Sequence, residues 1–257
     1  MIEFGLIGYP LSHSFSQKYF EHKFKELNIK NIKYSLFPIS EIKEINHLIA
    51  NNKNLCGLNV TTPYKEAVIP FLHYTDPLIS KLETVNVIKI ERSANNFYLK
   101  GYNTDFLGLK KSFEELNFPA NSKALVLGSG GSGKTVAFVL ENMNIPYNLV
   151  SRNPKTLKQI SYQDLNKTVM KNHNIIINAS PVGMFPNINL YPSIPYEFIT
   201  PEHICFDLIY NPFETLFLKK CSQTGAKILN GLKMFYEQAE ESWKILKSKN
   251  SFLTLPL

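Results

Sequence analysis

Cysteine is scarce in this chain of 257 residues: three are present, Cys56, Cys205 and Cys221, in no paired spacing that would make a metal site or a disulfide framework. The expectation is reduced thiols in a cytoplasmic protein, with no metal. Long hydrophobic runs are also missing. Segments such as IIINASPVGMF break after a few positions, well short of the roughly 18 apolar residues that a spanning helix needs, so a soluble protein with no membrane partner is expected. The opening MIEFGLIGYP holds an acidic residue and a glycine where a signal peptide needs basic residues and then an apolar run, which argues against secretion. There are no internal repeats and no low-complexity linker. The formal charge is +7, but the lysines are scattered with no dense basic stripe, so nucleic acid is not expected as a partner. The surplus fits ordinary surface lysines, and equally a small anionic substrate with a phosphate-bearing cofactor.

What is present is a repeated alternation of short apolar runs with helix-like segments. FGLIG, FSQKYFEHKFKEL, YSLFPI, SEIKEINHLIANN and CGLNVT follow in order, the rhythm of an α/β fold with a parallel sheet. In the first helical segment Phe15, Tyr19, Phe20, Phe24 and Leu27 are expected on one broad core-facing side. TVNVIKIE and NFYLKGYN flank RSANN and read as a hairpin closing a first lobe. After the helical LGLKKSFEEL a second series begins at KALVLGSGGSGK and runs through YNLVSRNP, NIIINASPVGM, HICFDLIY and AKILN. Each apolar run ends in polar or small residues, as strand ends facing a ligand crevice do. The closing segment GLKMFYEQAEESWKILKSK has helical spacing of Met234, Tyr236, Ala239, Trp243 and Leu246 and is expected to pack back on the first lobe. With 44% hydrophobic residues the chain can fill one large core or two modest ones.

Residues 128–135 read GSGGSGKT, which satisfies two phosphate-binding patterns. In the dinucleotide pattern Gly128 makes the tight turn, Gly130 admits the pyrophosphate to the backbone, and Gly133 lets helix pack on strand. In the P-loop pattern Lys134 reaches the β and γ phosphates and Thr135 holds magnesium, with ICFD at 204–207 as a strand ending in the metal-binding aspartate. A purely structural turn is a third reading. The following strand bears on the choice. Its end, SRNPK, offers Arg152 and Lys155 where an acidic residue would read the ribose hydroxyls of NAD, and an arginine pairs with a 2′-phosphate instead. NADP is therefore favoured.

The first-lobe strands end in hydroxyls and amides, GYPLSHSFS, GLNVTTPYK, TVN and GYNTD, a set suited to a polyol. Each residue also has an ordinary explanation: Ser14 or Ser16 as a helix cap, Asn59 and Asn86 in turns, Lys65 as a surface charge. A carbonyl that receives both hydride and proton calls for a lysine and an aspartate together. In sequence, GYPLSHSFS, NVTTPYK, TVN, GYNTD, LGSGGSGK, SRNPK, NASPVGM, DLIYNP and NGLKMFYEQA make a chain that resembles shikimate dehydrogenase over essentially its whole length.

The resemblance implies a two-lobed fold. An amino-terminal substrate-binding α/β domain would take residues 1–104 with 233–257, and a Rossmann NADP-binding domain residues 105–232. It implies reversible NADPH-dependent reduction of 3-dehydroshikimate to shikimate, an oxidoreductase step toward chorismate and the aromatic amino acids, in a monomer or homodimer. Lys65 and Asp105 match the catalytic pair. Ser14 and Ser16 match hydroxyls that bind the substrate carboxylate; Thr61, Asn86, Asp105, Gln238 and Tyr210 match groups that hold the ring hydroxyls. Gly128, Ser129, Gly130, Gly131, Ser132, Ser151, Arg152, Asn153, Lys155, Leu208, Gly231 and Met234 match the cofactor side. Three positions depart from the family pattern: Ser151, Arg152 and Asn153 stand where asparagine-arginine-threonine is usual, which changes the first and third, and Gln17 replaces a common proline. The rivals are a broader quinate/shikimate dehydrogenase, a P-loop nucleotide hydrolase, and a non-catalytic sensor keeping the fold. Arg152→Asp is expected to lower the ratio of kcat/KM for NADPH over NADH; an unchanged ratio would remove Arg152 from the 2′-phosphate site.

Overall fold

The computed structural model describes residues 1–11, 14–93 and 96–248. Ser12 and His13 of the serine motif, Ala94 and Asn95 of the hairpin turn, and the chain after Ser248 lie outside the described residues. Two compact units form, one from Met1–Thr104 with the chain from Ala239 onward, the other from Asp105–Gln238.

The first unit holds β1 (Ile2–Gly8), α1 (Phe15–Glu26), β2 (Ile32–Pro38), α2 (Ile45–Asn51), β3 (Leu55–Val60), α3 (Tyr64–Ala67), β4 (Tyr74–Thr75), α4 (Ile79–Leu82), β5 (Val87–Ser93) and β6 (Asn96–Tyr102). Its sheet runs β2-β1-β3-β5-β6-β4. The first three strands are parallel, β5 turns antiparallel to β3, and β6 returns antiparallel to β5. Side chains alternate across a strand, so β1 feeds two cores. Ile7 joins Ile45, Ile49, Leu58, Val68 and Ile88 on one face; Phe4 and Leu6 join Phe20, Phe24, Trp243 and Leu246 on the other.

The second unit holds α5 (Asp105–Glu114), β7 (Ala124–Leu127), α6 (Gly131–Asn142), β8 (Tyr147–Ser151), β9 (Gln159–Ser161), α7 (Lys167–Lys171), β10 (Ile175–Asn178), β11 (Ile204–Asp207), α8 (Leu216–Ser222) and β12 (Lys227–Leu229), before α9 (Leu232–Lys247). Its sheet is parallel, ordered β12-β11-β10-β7-β8-β9. Counted from β7 this is the 6-5-4-1-2-3 order of a dinucleotide fold. The chain leaves β7 toward one side and crosses from β9 to β10 on the other, so the crevice opens at the ends of β7 and β10.

Two helix faces differ from the sequence expectation. Phe20 and Phe24 of α1 are buried, but Phe15 is 39% and Leu27 53% exposed. Phe15 is rotated by about 140° from Phe20 at about 100° per residue, and Leu27 lies past the last helical residue as the cap. On α9 the buried arc runs through Phe235, Ala239, Ser242, Trp243 and Leu246, leaving Tyr236 48% exposed on its margin.

Within the second unit α5 and α9 approach closely at Gly108, where a Cβ would lie 2.7 Å from the Met234 carbonyl oxygen and 3.0 Å from the Gln238 nitrogen. Both obstacles are backbone, so a helix must move. Gly108→Ala is expected to lower unfolding free energy by about 1–3 kcal/mol in urea denaturation; an unchanged or raised midpoint would show that the crossing is looser than described.

Candidate functional site

The strand directions of the first sheet collect the ends of β1, β3 and β6 and the start of β5 at one edge. Backbone bonds stitch it together: Thr61 N–H donates to Ile7 O at 3.0 Å, Val60 N–H to Asn86 O at 2.9 Å, Asn86 N–H to Tyr102 O at 3.1 Å, and Val85 N–H to Lys65 O at 2.8 Å. Thr61, Lys65 and Asn86 are thereby brought to the same edge, with Lys65 on the single turn of α3. Ser14 and Ser16 follow β1. The Ser14 hydroxyl accepts from the Ser16 N–H at 3.2 Å, so Ser14 also caps α1.

Behind this edge lies a polar chain. The Tyr34 hydroxyl donates to Asn59 Oδ1 at 2.8 Å, and Asn59 Nδ2 donates to Ser242 Oγ at 3.1 Å. Ser242 Oγ meets Thr104 Oγ1 at 3.0 Å. Asn86 Nδ2 donates to Thr104 Oγ1 at 2.9 Å, and Asn86 Oδ1 accepts from the Thr104 N–H at 2.7 Å. All these residues are buried. Burial raises the Tyr34 hydroxyl well above the usual phenol range, partly offset by a hydrogen bond with the Ser16 side chain.

In the second unit Asp105 opens α5. Tyr210 is pushed up to about 12, first by burial and then by the Asp105 carboxylate, which keeps its hydroxyl protonated as a donor. Its ring packs on Phe235 at 4.9 Å between centroids, and Gln238 Nε2 donates to Phe235 O at 3.0 Å. Asp105, Tyr210, Gln238 and Met234 therefore share the region where α5, α9 and the segment after β11 converge. Gly231 N–H donates to Ile209 O at 3.2 Å, and any Cβ at Gly231 would overlap the Leu208 carbonyl, so Leu208 and Gly231 lie backbone to backbone.

The glycine turn joins β7 to α6. Gly128 has φ +119°, a conformation that favours glycine. A Cβ at Gly133 would lie deep inside contact distance of the Gly128 carbonyl oxygen, whereas one at Gly130 would meet nothing within 4 Å. These are the packing and approach roles of the dinucleotide pattern, and Gly130 caps α6 without a side chain to occupy its first N–H groups. Gly131 and Ser132 begin the helix. Ser129 Oγ donates to Ser151 Oγ at 3.1 Å, and Ser151 Oγ accepts from the Asn153 N–H at 3.3 Å, tying the turn to the end of β8. There Arg152, Asn153 and Lys155 are exposed. These residues fit NADP: a glycine cradle and open amides for the pyrophosphate, and two cations beside them for a 2′-phosphate.

A sequence model described as the shikimate dehydrogenase substrate binding domain matches residues 6–88. The shikimate dehydrogenase (NADP(+)) of Methanococcus vannielii is 37% identical, covering 94% of this chain and 89% of its own. The chain belongs to the shikimate dehydrogenase family. Among solved structures, shikimate dehydrogenase 1 of Peptoclostridium difficile has a TM-score of 0.83 at 35% identity, over 96% of this chain and 91% of that one. A shikimate dehydrogenase solved in complex with NADP+ has a TM-score of 0.82 at 30% identity, over 96% and 90%.

In this shikimate dehydrogenase family member the P-loop residues are otherwise engaged. Thr135 Oγ1 is buried and donates to Gly131 O at 3.1 Å. Asp207 is fully buried and accepts from Asn178 Nδ2 at 3.0 Å, Ile209 N–H at 3.0 Å and Thr215 Oγ1 at 2.6 Å. It links the ends of β10 and β11 to the start of α8, and the nucleotide-hydrolase reading is set aside. Among the described residues no group of three or more His, Cys, Asp or Glu gathers as for a metal, and no helix is long and apolar enough to cross a membrane. Sequence reasoning missed Tyr34, Thr104, Ser242 and the structural part of Asp207. The one local signal was Ser242, a hydroxyl within the apolar arc of α9.

Burial, opposed by its three hydrogen bonds, pushes the Asp207 carboxyl up to about 6. A folded-state value above the unfolded one gives stability that is fully present below about pH 4 and is lost as pH rises through about 6. Asp207→Asn is expected to remove a decline in unfolding free energy of about 3 kcal/mol between about pH 4 and about pH 7. Parallel wild-type and variant curves in urea unfolding across that range would contradict it.

Proposed function

We propose that this chain catalyses the reversible NADPH-dependent reduction of 3-dehydroshikimate to shikimate. The observation that carries the reading is the gathering of Thr61, Lys65 and Asn86 at one sheet edge, in a chain 37% identical to a shikimate dehydrogenase (NADP(+)). The relatives described above carry the shikimate name, and the broader quinate reading is not favoured.

In this reading the first unit is the substrate domain and the second the NADP domain, acting in the cytoplasm. Ser14 and Ser16 take the substrate carboxylate, and Thr61, Asn86, Tyr210 and Gln238 take its ring hydroxyls. The glycine turn from Gly128 to Ser132 receives the pyrophosphate at the start of α6. Ser151, Arg152, Asn153 and Lys155 hold the adenosine 2′-phosphate, with Leu208, Gly231 and Met234 beside the nicotinamide. When bound, NADPH supplies hydride to the carbonyl carbon. Lys65 gives the proton to the C3 oxygen and, as an ammonium, stabilises negative charge developing there; Asp105 completes the acid/base pair. In the reverse direction Lys65 accepts that proton from the C3 hydroxyl.

The test is shikimate-dependent appearance of NADPH absorbance, run beside quinate and with NAD. Lys65→Met is expected to lower kcat by roughly 100-fold or more with a smaller change in shikimate KM. A rise in KM alone would make Lys65 a binding residue, and no NADPH formation by the wild type would overturn the reading.

A further inference from the structure

The polar chain behind the first sheet edge ends on one of the groups assigned to substrate. It starts at Tyr34, and at its end Asn86 is gripped twice by Thr104. Sheet formation does not need the links between them, because β3, β5 and β6 are joined there by backbone bonds. Nor is a hydroxyl needed to fill space at position 242: Ala239, on the same buried arc of α9, fills its place with a methyl group. A hydroxyl withdrawn from water costs stability unless paired, so Ser242 calls for another explanation.

The pattern of bonds supplies one. Tyr34 O–H donates to Asn59 Oδ1, and the Asn59 amide N–H donates to Ser242 Oγ. From the far side Asn86 N–H donates to Thr104 Oγ1. The Thr104 hydroxyl also donates to Asn86 Oδ1 at 3.3 Å, and its oxygen meets Ser242 Oγ at 3.0 Å. Ser242 Oγ thus accepts from Asn59 and shares a hydrogen bond with Thr104, joining the two arms. Asn86 can present either its oxygen or its NH2 to a given point by rotating its last torsion. Bonds from Thr104 to both ends of the amide fix that choice, and Ser242 fixes Thr104.

Resting on the functional reading above, we propose that Ser242 and Tyr34 are positioning residues: through Asn59 and Thr104 they set the orientation of Asn86 toward a substrate that bears ring hydroxyls. Neither touches substrate itself. Their effect belongs to substrate binding, not to cofactor binding, and because they act in one chain their losses do not multiply.

The experiment compares wild type, Ser242→Ala, Tyr34→Phe and the double variant by steady-state kinetics, calorimetric titration with shikimate, and thermal melting. Ser242→Ala is expected to raise shikimate KM and Kd by roughly 10-fold, the scale of one lost buried hydrogen bond, with NADP KM within about 2-fold of wild type, as expected for a bond that serves the substrate alone. Tyr34→Phe should do the same to a smaller degree, and the double variant should fall short of the product of the two. A lowered Tm with unchanged shikimate KM and Kd, or a fully multiplicative double variant, overturns the proposal. Should Ser242→Ala fail to fold, Tyr34→Phe decides alone by the same split. Wild type that binds shikimate without forming NADPH sinks the functional reading while the Kd comparison still decides the relay; wild type that binds none sinks both.

Discussion

A polar group taken out of water must be given a partner, and this constraint shapes both units at the ends of their strands. Among the described residues no buried side-chain nitrogen or oxygen lacks a hydrogen bond. In the first unit the requirement is met by the run from Tyr34 to Asn86 through Asn59, Ser242 and Thr104. In the second it is met by Asn178 and Thr215 closing on Asp207. Unpaired, each of these groups would cost about 1–3 kcal/mol. Paired, they are rigid shelves. Asn86, proposed to meet substrate, is held by the first, and the Leu208 to Tyr210 segment hangs directly from the second.

The cofactor side rests on a different constraint, close approach of backbone to backbone. α6 can start where it does only because residue 133 has no side chain to collide with the Gly128 carbonyl. That approach leaves the first turn of α6 uncapped by any side chain, at the end of β7 next to the point where the strand order reverses. The Ser129 to Ser151 bond then sets the neighbouring strand end, with its Arg152, against the same turn.

Much of this was legible in the sequence. Strand ends are short and chemically distinctive, so the hydroxyl and amide clusters after β1 and β3 and before β5, and the glycine turn after β7, could be placed on loops from their flanking apolar runs. The two patterns sharing GSGGSGKT could not be separated by their letters. What separates them is that the Thr135 hydroxyl bonds to its own helix and Asp207 is sealed inside, facts about burial that local spacing does not carry. Helix faces were read less well for a related reason. Periodicity gives an angle but not where the covering sheet stops, which is why Phe15 and Leu27 reach solvent and why Phe235, not Tyr236, lies inward. The polar run through Ser242 joins positions more than 200 residues apart in sequence, from Tyr34 to Ser242, and no local pattern announces it.

The last helix has a consequence for the order in which the molecule is made. The second unit is an insertion in the first, and its six strands are all present once Leu229 has been added. The first unit has its six strands by Tyr102, but one of its two cores still lacks Ala239, Trp243 and Leu246. Trp243 sets its ring edge-on to Phe4 at 5.9 Å, so β1 waits for a partner that follows it late in the chain. Until α9 arrives, that face of β1 has only part of its cover, from Phe20 and Phe24 of α1, and a nascent chain halted before residue 239 still exposes apolar surface there.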